Sequence, residues 1–237
     1  MTQCKNCGTK FNKNFCNNCG QKRLQGRLRL KEVITNTLDL LFNVEKGIIF
    51  TIKELTLRPG TVIAEYIDGK RIKYFNPFKF LVVFVTINTF LSLKIADYGT
   101  DARIIDDSEI NSNTFPFLLK DYWDLLSFLI VPIYAIFSKI LFKEYKFNYT
   151  EHLVLNSYVI GYQNLVGSIY YIIFLIFCPD CGSGLYPMLL GLIFFIWCYM
   201  DLFRKRSLLT FIKLIAAFIL GWTLWVIIIF TAVWKLM

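Results

Sequence analysis

The sequence predicts an all-α integral membrane protein: about five transmembrane helices, preceded by amphipathic interfacial helices and a small cysteine-rich module. Three observations predict it. Of 237 residues, 56% are hydrophobic and only 18% charged, against about 25% charged in soluble domains. The charges are segregated, with fifteen of the 26 Lys and Arg in residues 1–79 and long apolar runs downstream. Four cysteines lie in two CxxCG repeats close to the N-terminus.

The module spans 1–23. Cys4, Cys7, Cys16 and Cys19 form CxxCG-x6-FCxxCG. Each CxxC puts two thiolates on one tight turn, and Gly8 and Gly20 let the backbone bend behind them. Two such knuckles close a tetrahedral Cys4 site for structural Zn2+, at about 2.3 Å per bond. Redox pairs are the weaker alternative, because neither CxxC opens a helix in a βαβ pattern. Disulfides are disfavoured in a reducing cytoplasm. A closed Cys4 site folds its segment and does not catalyse, and metal supplies most of the stability of so small a unit. The module is expected either to dock a cytoplasmic protein partner or to cap the helices that follow.

Residues 24–77 read as cytoplasmic amphipathic helices on the inner membrane surface. Leu28, Leu30, Val33, Ile34, Leu38, Leu41 and Phe42 recur at near-helical spacing among basic residues, and a second apolar stretch runs from Ile48 to Leu57. Arg58-Pro59-Gly60 breaks the helix; a short helix follows, then a turn at Gly69, a basic patch and a stop at Pro77. Lys70, Arg71 and Lys73 are a candidate contact for a lipid head or another anion. The alternative is ordinary inside-positive anchoring with Glu65 paired to Lys70 or Arg71.

The transmembrane domain is expected over 78–237, with spans at about 78–97, 123–142, 153–178, 185–203 and 208–234. Lys and Arg number 15, 3, 2, 0, 3 and 1 in successive water-facing segments. The positive-inside rule then puts the N-terminus in the cytoplasm and the C-terminus outside. No cleavable signal peptide is visible. Net charge of +9 is explained by that asymmetry, which disfavours nucleic acid as a partner; membrane lipids are the expected partners, and a homo-oligomer is compatible.

The third span carries Glu151, His152, Asn156, Gln163 and Asn164. Polar residues inside a membrane are costly and suggest function. They form a candidate polar seam for a substrate or proton, or else bond neighbouring helices together, Gly161 and Gly167 allowing close approach. Cys178 and Cys181, in the expected outer loop, are a candidate disulfide. Cys198 is a small packing residue.

Several segments together resemble the DUF3667 group, a family of uncharacterised bacterial membrane proteins common in Bacteroidetes. They are CxNCG…FCxxCGQ, LRPGTVIAEYIDGKRIKYFNPFKFL and YTEHLVLNSYVIGYQNL. The matching positions include Cys4, Cys7, Cys16, Cys19, Pro59, Gly60, Glu65, Gly69, Lys70, Arg71, Pro77, Glu151 and His152. The resemblance implies a zinc-ribbon head on a multi-span domain in the bacterial inner membrane. It implies no activity.

No G-x-S-x-G, Walker A or HExxH motif occurs, and a single histidine restricts triads to His152. The expectation leans to a non-enzymatic scaffold or regulatory protein. A small-molecule or lipid transporter using the third span is the alternative. A lipid-modifying enzyme built on Glu151 and His152 is the weakest.

Overall fold

The computed structural model describes residues 1–23, 26–28, 30, 47–101, 126–177, 186–204 and 207–234. Most of the helical stretch expected to begin at residue 24, most of the loop before the second span, and Cys178 and Cys181 lie outside the described residues.

The described chain is helical apart from two short strands, β1 (Thr2–Gln3) and β2 (Lys10–Phe11). These pair antiparallel, Thr2 opposite Phe11 and Gln3 opposite Lys10. Seven helices follow: α1 (Ile48–Leu57), α2 (Pro59–Asp68), α3 (Pro77–Asp101), α4 (Ile130–Leu141), α5 (Tyr149–Phe177), α6 (Tyr186–Phe203) and α7 (Leu208–Trp234).

Local chemistry sets the breaks. Proline disfavours helical backbone in the residue before it, and Arg58 accordingly leaves the helical region at φ −152°, ψ 66°. Pro59 then starts α2, where its missing N–H costs nothing. Pro77, read from the sequence as a stop, is the first residue of α3. The Asn76 side chain caps that helix, accepting the N–H groups of Phe78 at 3.0 Å and Lys79 at 3.3 Å.

Helices α1 and α2 are built into the helical body rather than laid beside it. Leu55, Val62 and Ile63 are fully buried, and the Thr56 hydroxyl is 2.9 Å from that of Tyr162 on α5. The core runs between α3 and α5, where Phe80 packs against Phe84 and Tyr158. The Tyr158 hydroxyl donates to the Phe75 carbonyl at 2.6 Å. Gly161 lets the two backbones approach; a Cβ there would lie 3.2 Å from Leu81 Cα. On the other flank Tyr134 of α4 packs against Phe218 of α7, and the Trp225 indole donates to the Leu126 carbonyl.

Among the described residues, two helices are long and apolar enough to cross a membrane, over Pro77–Lys94 and Leu208–Thr231. Ile130–Leu141 and Leu189–Phe203 are shorter apolar helices.

Candidate metal centre and its contacts with the helical body

The N-terminal module is two copies of one turn. In the first, Gly8 N–H donates to the Cys4 carbonyl and Cys4 N–H to the Thr9 carbonyl; in the second, Gly20 donates to Cys16 and Cys16 to Gln21. All four bonds are 2.9 Å. Gly8 and Gly20 both sit at left-handed φ, 76° and 73°, which L-residues with a Cβ adopt only with strain. The repeated CxxCG is thus a backbone requirement as well as a ligand pattern. Phe11, buried with Cys4 and Cys16, is the module's apolar centre.

The turns face each other. The four sulfurs of Cys4, Cys7, Cys16 and Cys19 all lie within 4.8 Å of one another. Cys4 and Cys19 are 3.5 Å apart, as are Cys7 and Cys16. A tetrahedron of thiolates around zinc separates its sulfurs by about 3.8 Å, so the quartet fits a tetrahedral ion with little adjustment. Its protons are unequally held. Hydrogen bonds with the Thr9 hydroxyl and backbone hold the Cys7 thiol down at about 6, whereas burial pushes Cys19 up to about 11. Four thiols at this spacing ionise together only when a cation offsets their mutual repulsion. The cluster is therefore able to hold a metal ion.

Two contacts latch the module to the helices. The Gln21 side chain, directly after the second knuckle, donates to the Gly69 carbonyl at 2.5 Å, where α2 ends. Arg27 donates from Nε and Nη2 to the Glu151 carboxylate at 3.0 and 2.6 Å, and from Nη2 to the Lys146 carbonyl. Glu151 is itself part of a reciprocal cap on α5. Its N–H donates to the Asn148 side chain at 2.8 Å, and its carboxylate accepts the Asn148 N–H at 2.7 Å. That N-x-x-E arrangement is a capping box and was readable in the sequence. A cleft of about 470 Å3 separates module and helices, lined by Lys5, Gln21, Arg27, Asp68, Arg71 and Glu151 among others.

Two of the three cations in the expected anion patch are engaged by one acid. Lys70 and Lys73 both pair with Glu65, at 2.8 and 2.7 Å, and Tyr74 donates to the same carboxylate at 2.5 Å. Against the upward push of partial burial, these three bonds hold Glu65 at about 2. Lys73 also lies over the Tyr74 ring. Arg71 faces the cleft beneath the module instead.

The polar residues of α5 turn to separate neighbours. His152, fully buried, has Nδ1 3.0 Å from the Ser138 hydroxyl of α4. Asn156 donates to the same hydroxyl at 3.3 Å and accepts from the Tyr199 hydroxyl of α6 at 3.0 Å. Gln163 donates to the Gly191 carbonyl of α6 at 2.7 Å. Asn164 donates within its own helix, to Ile160. Below it, Ser168 donates to Asn88 of α3 at 3.5 Å. Sequence reasoning missed Ser138, Asn88 and Tyr199, which lie on other helices without any shared spacing. It also missed Gln21 and Arg27, whose partners are 48 and 124 residues away.

Residues 45–89 match a family model described as "Protein of unknown function (DUF3667)", the group that the sequence resembles. That stretch contains α1, α2 and the first half of α3. No curated protein and no solved structure matches the chain.

Proposed function

We propose that this chain, which matches the DUF3667 model over residues 45–89, is a non-enzymatic, multi-pass membrane scaffold whose zinc-clamped N-terminal module docks a cytoplasmic protein partner. One observation carries the proposal. The cysteine module is latched by one side, through Gln21 and Arg27, while its other side stands in water. Lys13, Asn14, Asn17 and Asn18 are exposed there, and Phe15 is 55% exposed. An exposed aromatic ring on a metal-rigidified turn, ringed by polar and basic side chains, suits protein recognition.

Zinc is the ion favoured by four thiolates in a tetrahedral cage. A closed quartet leaves no open coordination position, so the ion would hold the two knuckles together and catalyse nothing. Cys4, Cys7, Cys16 and Cys19 would all bind it as thiolates.

The membrane reading draws support from α7. Its apolar window has a mean hydropathy of 2.4, yet only 28% of it is buried. Ile219, Ile227 and Phe230 point outward. A helix at the core of a water-soluble protein would bury such side chains; one facing lipid has no need to. The proposal extends this to five spans by counting α4, α5 and α6 as well, and takes the N-terminus as inside from the distribution of Lys and Arg along the sequence.

Transport and lipid modification have less support. Asn156 and Gln163 are engaged with α6 and His152 with α4, the pattern of side chains that join helices. The scaffold proposal is tested by purifying the full chain in mild detergent, as wild type and as Cys4→Ser/Cys7→Ser. One zinc per chain and a co-purifying cytoplasmic protein, both lost in the variant, are expected. A partner set unchanged in the variant would leave the module as a structural cap.

A further inference from the structure

Beside the C-terminal end of α4 lies an open groove of about 570 Å3 that the scaffold reading does not use. Lys139, Lys143 and Lys146 line it together with Ile136 and Ile140, and Phe147 and Tyr149 close one side. Positions 136, 139 and 140 share a face of α4 at helical spacing, and Lys143 follows just beyond the end of that helix. The isoleucines are about half exposed, at 48% and 51%, and all three lysines are exposed. One short groove therefore presents an apolar strip that runs into a triple cation.

Among the described residues, none of these three lysines has an ion pair of its own, and no carboxylate lines the groove. Glu144, next to Lys143 in the chain, is drawn to Lys213 at 2.7 Å. The contrast with Lys70 and Lys73 is direct, since those two share the Glu65 carboxylate. The lysines are also held on ordered backbone. Lys143 begins a 3-10 turn, Lys143–Tyr145, and Lys146 ends it in the left-handed region at φ 55°. The Lys146 carbonyl is pinned by Arg27 at 2.7 Å. Three like charges lining one groove repel one another, and an anion among them relieves that repulsion.

We propose that this groove binds an anionic phospholipid. Lys139, Lys143 and Lys146 surround its headgroup phosphate, and Ile136 and Ile140 lie along the first methylenes of an acyl chain. The site rests on the membrane reading above, and it refines that reading by naming the lipid class. The adjacency of apolar and cationic side chains favours an amphiphile over a free anion, because inorganic phosphate would leave both isoleucines uncovered.

The test uses the full chain in mild detergent, titrated with dioctanoyl phosphatidylglycerol, dioctanoyl phosphatidylcholine or inorganic phosphate, and read by native mass spectrometry. Wild type is expected to retain the anionic lipid at least about tenfold better than the zwitterionic one. Lys139→Gln/Lys143→Gln/Lys146→Gln is expected to lose that preference, and Lys70→Gln/Lys73→Gln to keep it. Should the triple variant not fold, Lys143→Gln alone, exposed on its turn, is expected to reduce the preference measurably. Equal retention of both lipids, an unchanged preference in the lysine variants, or full displacement of lipid by inorganic phosphate would overturn the site. Extraction of native membranes with alkaline carbonate separates the two failures. Release of the chain overturns the membrane reading and the site with it, whereas retention without lipid preference overturns the site alone.

Discussion

The carboxylate of Asp201, near the end of α6, accepts the backbone N–H of Gly60 at 2.7 Å. This single bond caps the N-terminus of α2 from a residue 141 positions away. Helix N-termini carry unsatisfied N–H groups and a partial positive charge, so an aspartate there is favourable twice over. The approach that permits it is extremely close. A Cβ on Gly60 would fall 2.2 Å from the Leu202 nitrogen and 2.4 Å from the Asp201 carbonyl carbon.

Gly60→Ala is therefore expected to force α2 away from α6, because the obstruction is backbone and cannot rotate aside. A loss of roughly 2 kcal/mol or more is expected. Asp201→Ala, which removes the cap without a clash, should cost about 1 kcal/mol. Thermal unfolding of the purified variants in detergent checks the order; Gly60→Ala as stable as wild type would refute the contact.

The Arg27–Glu151 pair should respond unequally to truncation. The Glu151 side chain is 3% exposed and Arg27 59%. Glu151→Ala removes the ion pair and half of the α5 capping box, and should destabilise by about 2–3 kcal/mol. Arg27→Ala loosens the latch of the N-terminal module but leaves the cap. It is expected to increase proteolytic cleavage within residues 1–23 while changing the unfolding midpoint of the helical body less than Glu151→Ala does.

Metal removal should act locally. Chelation, or Cys4→Ser/Cys7→Ser, is expected to unfold the module and expose Phe11 and Phe15 to protease, because a unit with one buried phenylalanine has almost no core of its own. Helical content by circular dichroism should fall little. A module that stays protease-resistant without metal would show that Gln21 and Arg27 suffice to hold it.

Glu65 makes stability depend on acid pH. Its native pKa of about 2 lies below the ordinary 4.5, so its contribution is fully present above pH 4.5 and is lost as pH falls from 4.5 towards 2. Lys70→Gln/Lys73→Gln should raise the Glu65 pKa and flatten the pH dependence within that window. Unfolding midpoints across the window, compared between wild type and variant, measure the difference.

Tyr199→Phe should cost about 1 kcal/mol. It deprives the buried Asn156 carbonyl oxygen of its donor, and interhelical hydrogen bonds in comparable settings are worth roughly that much or less. A catalytic role for Tyr199 would require an activity lost without loss of stability.

Legibility from sequence followed the range of the interaction. The cysteine quartet was legible because all four ligands lie within sixteen residues and each CxxCG encodes its own turn. The helices were legible because apolar runs and the Pro59 break act through neighbouring residues. Pro77 was misread because a proline that ends one helix and a proline that begins the next look alike until Asn76 is seen capping α3. The roles of Lys70 and Lys73 stayed open because the Glu65 carboxylate can be shared or not, depending on how the Gly69 turn is folded.

Periodicity, composition and spacing determined by themselves that this chain is helical, that it carries long apolar helices, and that its N-terminus gathers four thiols able to hold a metal ion. Only the tertiary structure decided that Asp201 caps α2, that Gln21 and Arg27 fasten the cysteine module to the helices, and that Ser138, His152, Asn156 and Tyr199 form one buried network. It also decided that Glu65 balances Lys70 and Lys73. The reason is physical. Backbone preference and hydrophobic pattern are properties of adjacent residues, whereas a hydrogen bond or an ion pair between helices belongs to two positions that nothing in the linear chain brings together.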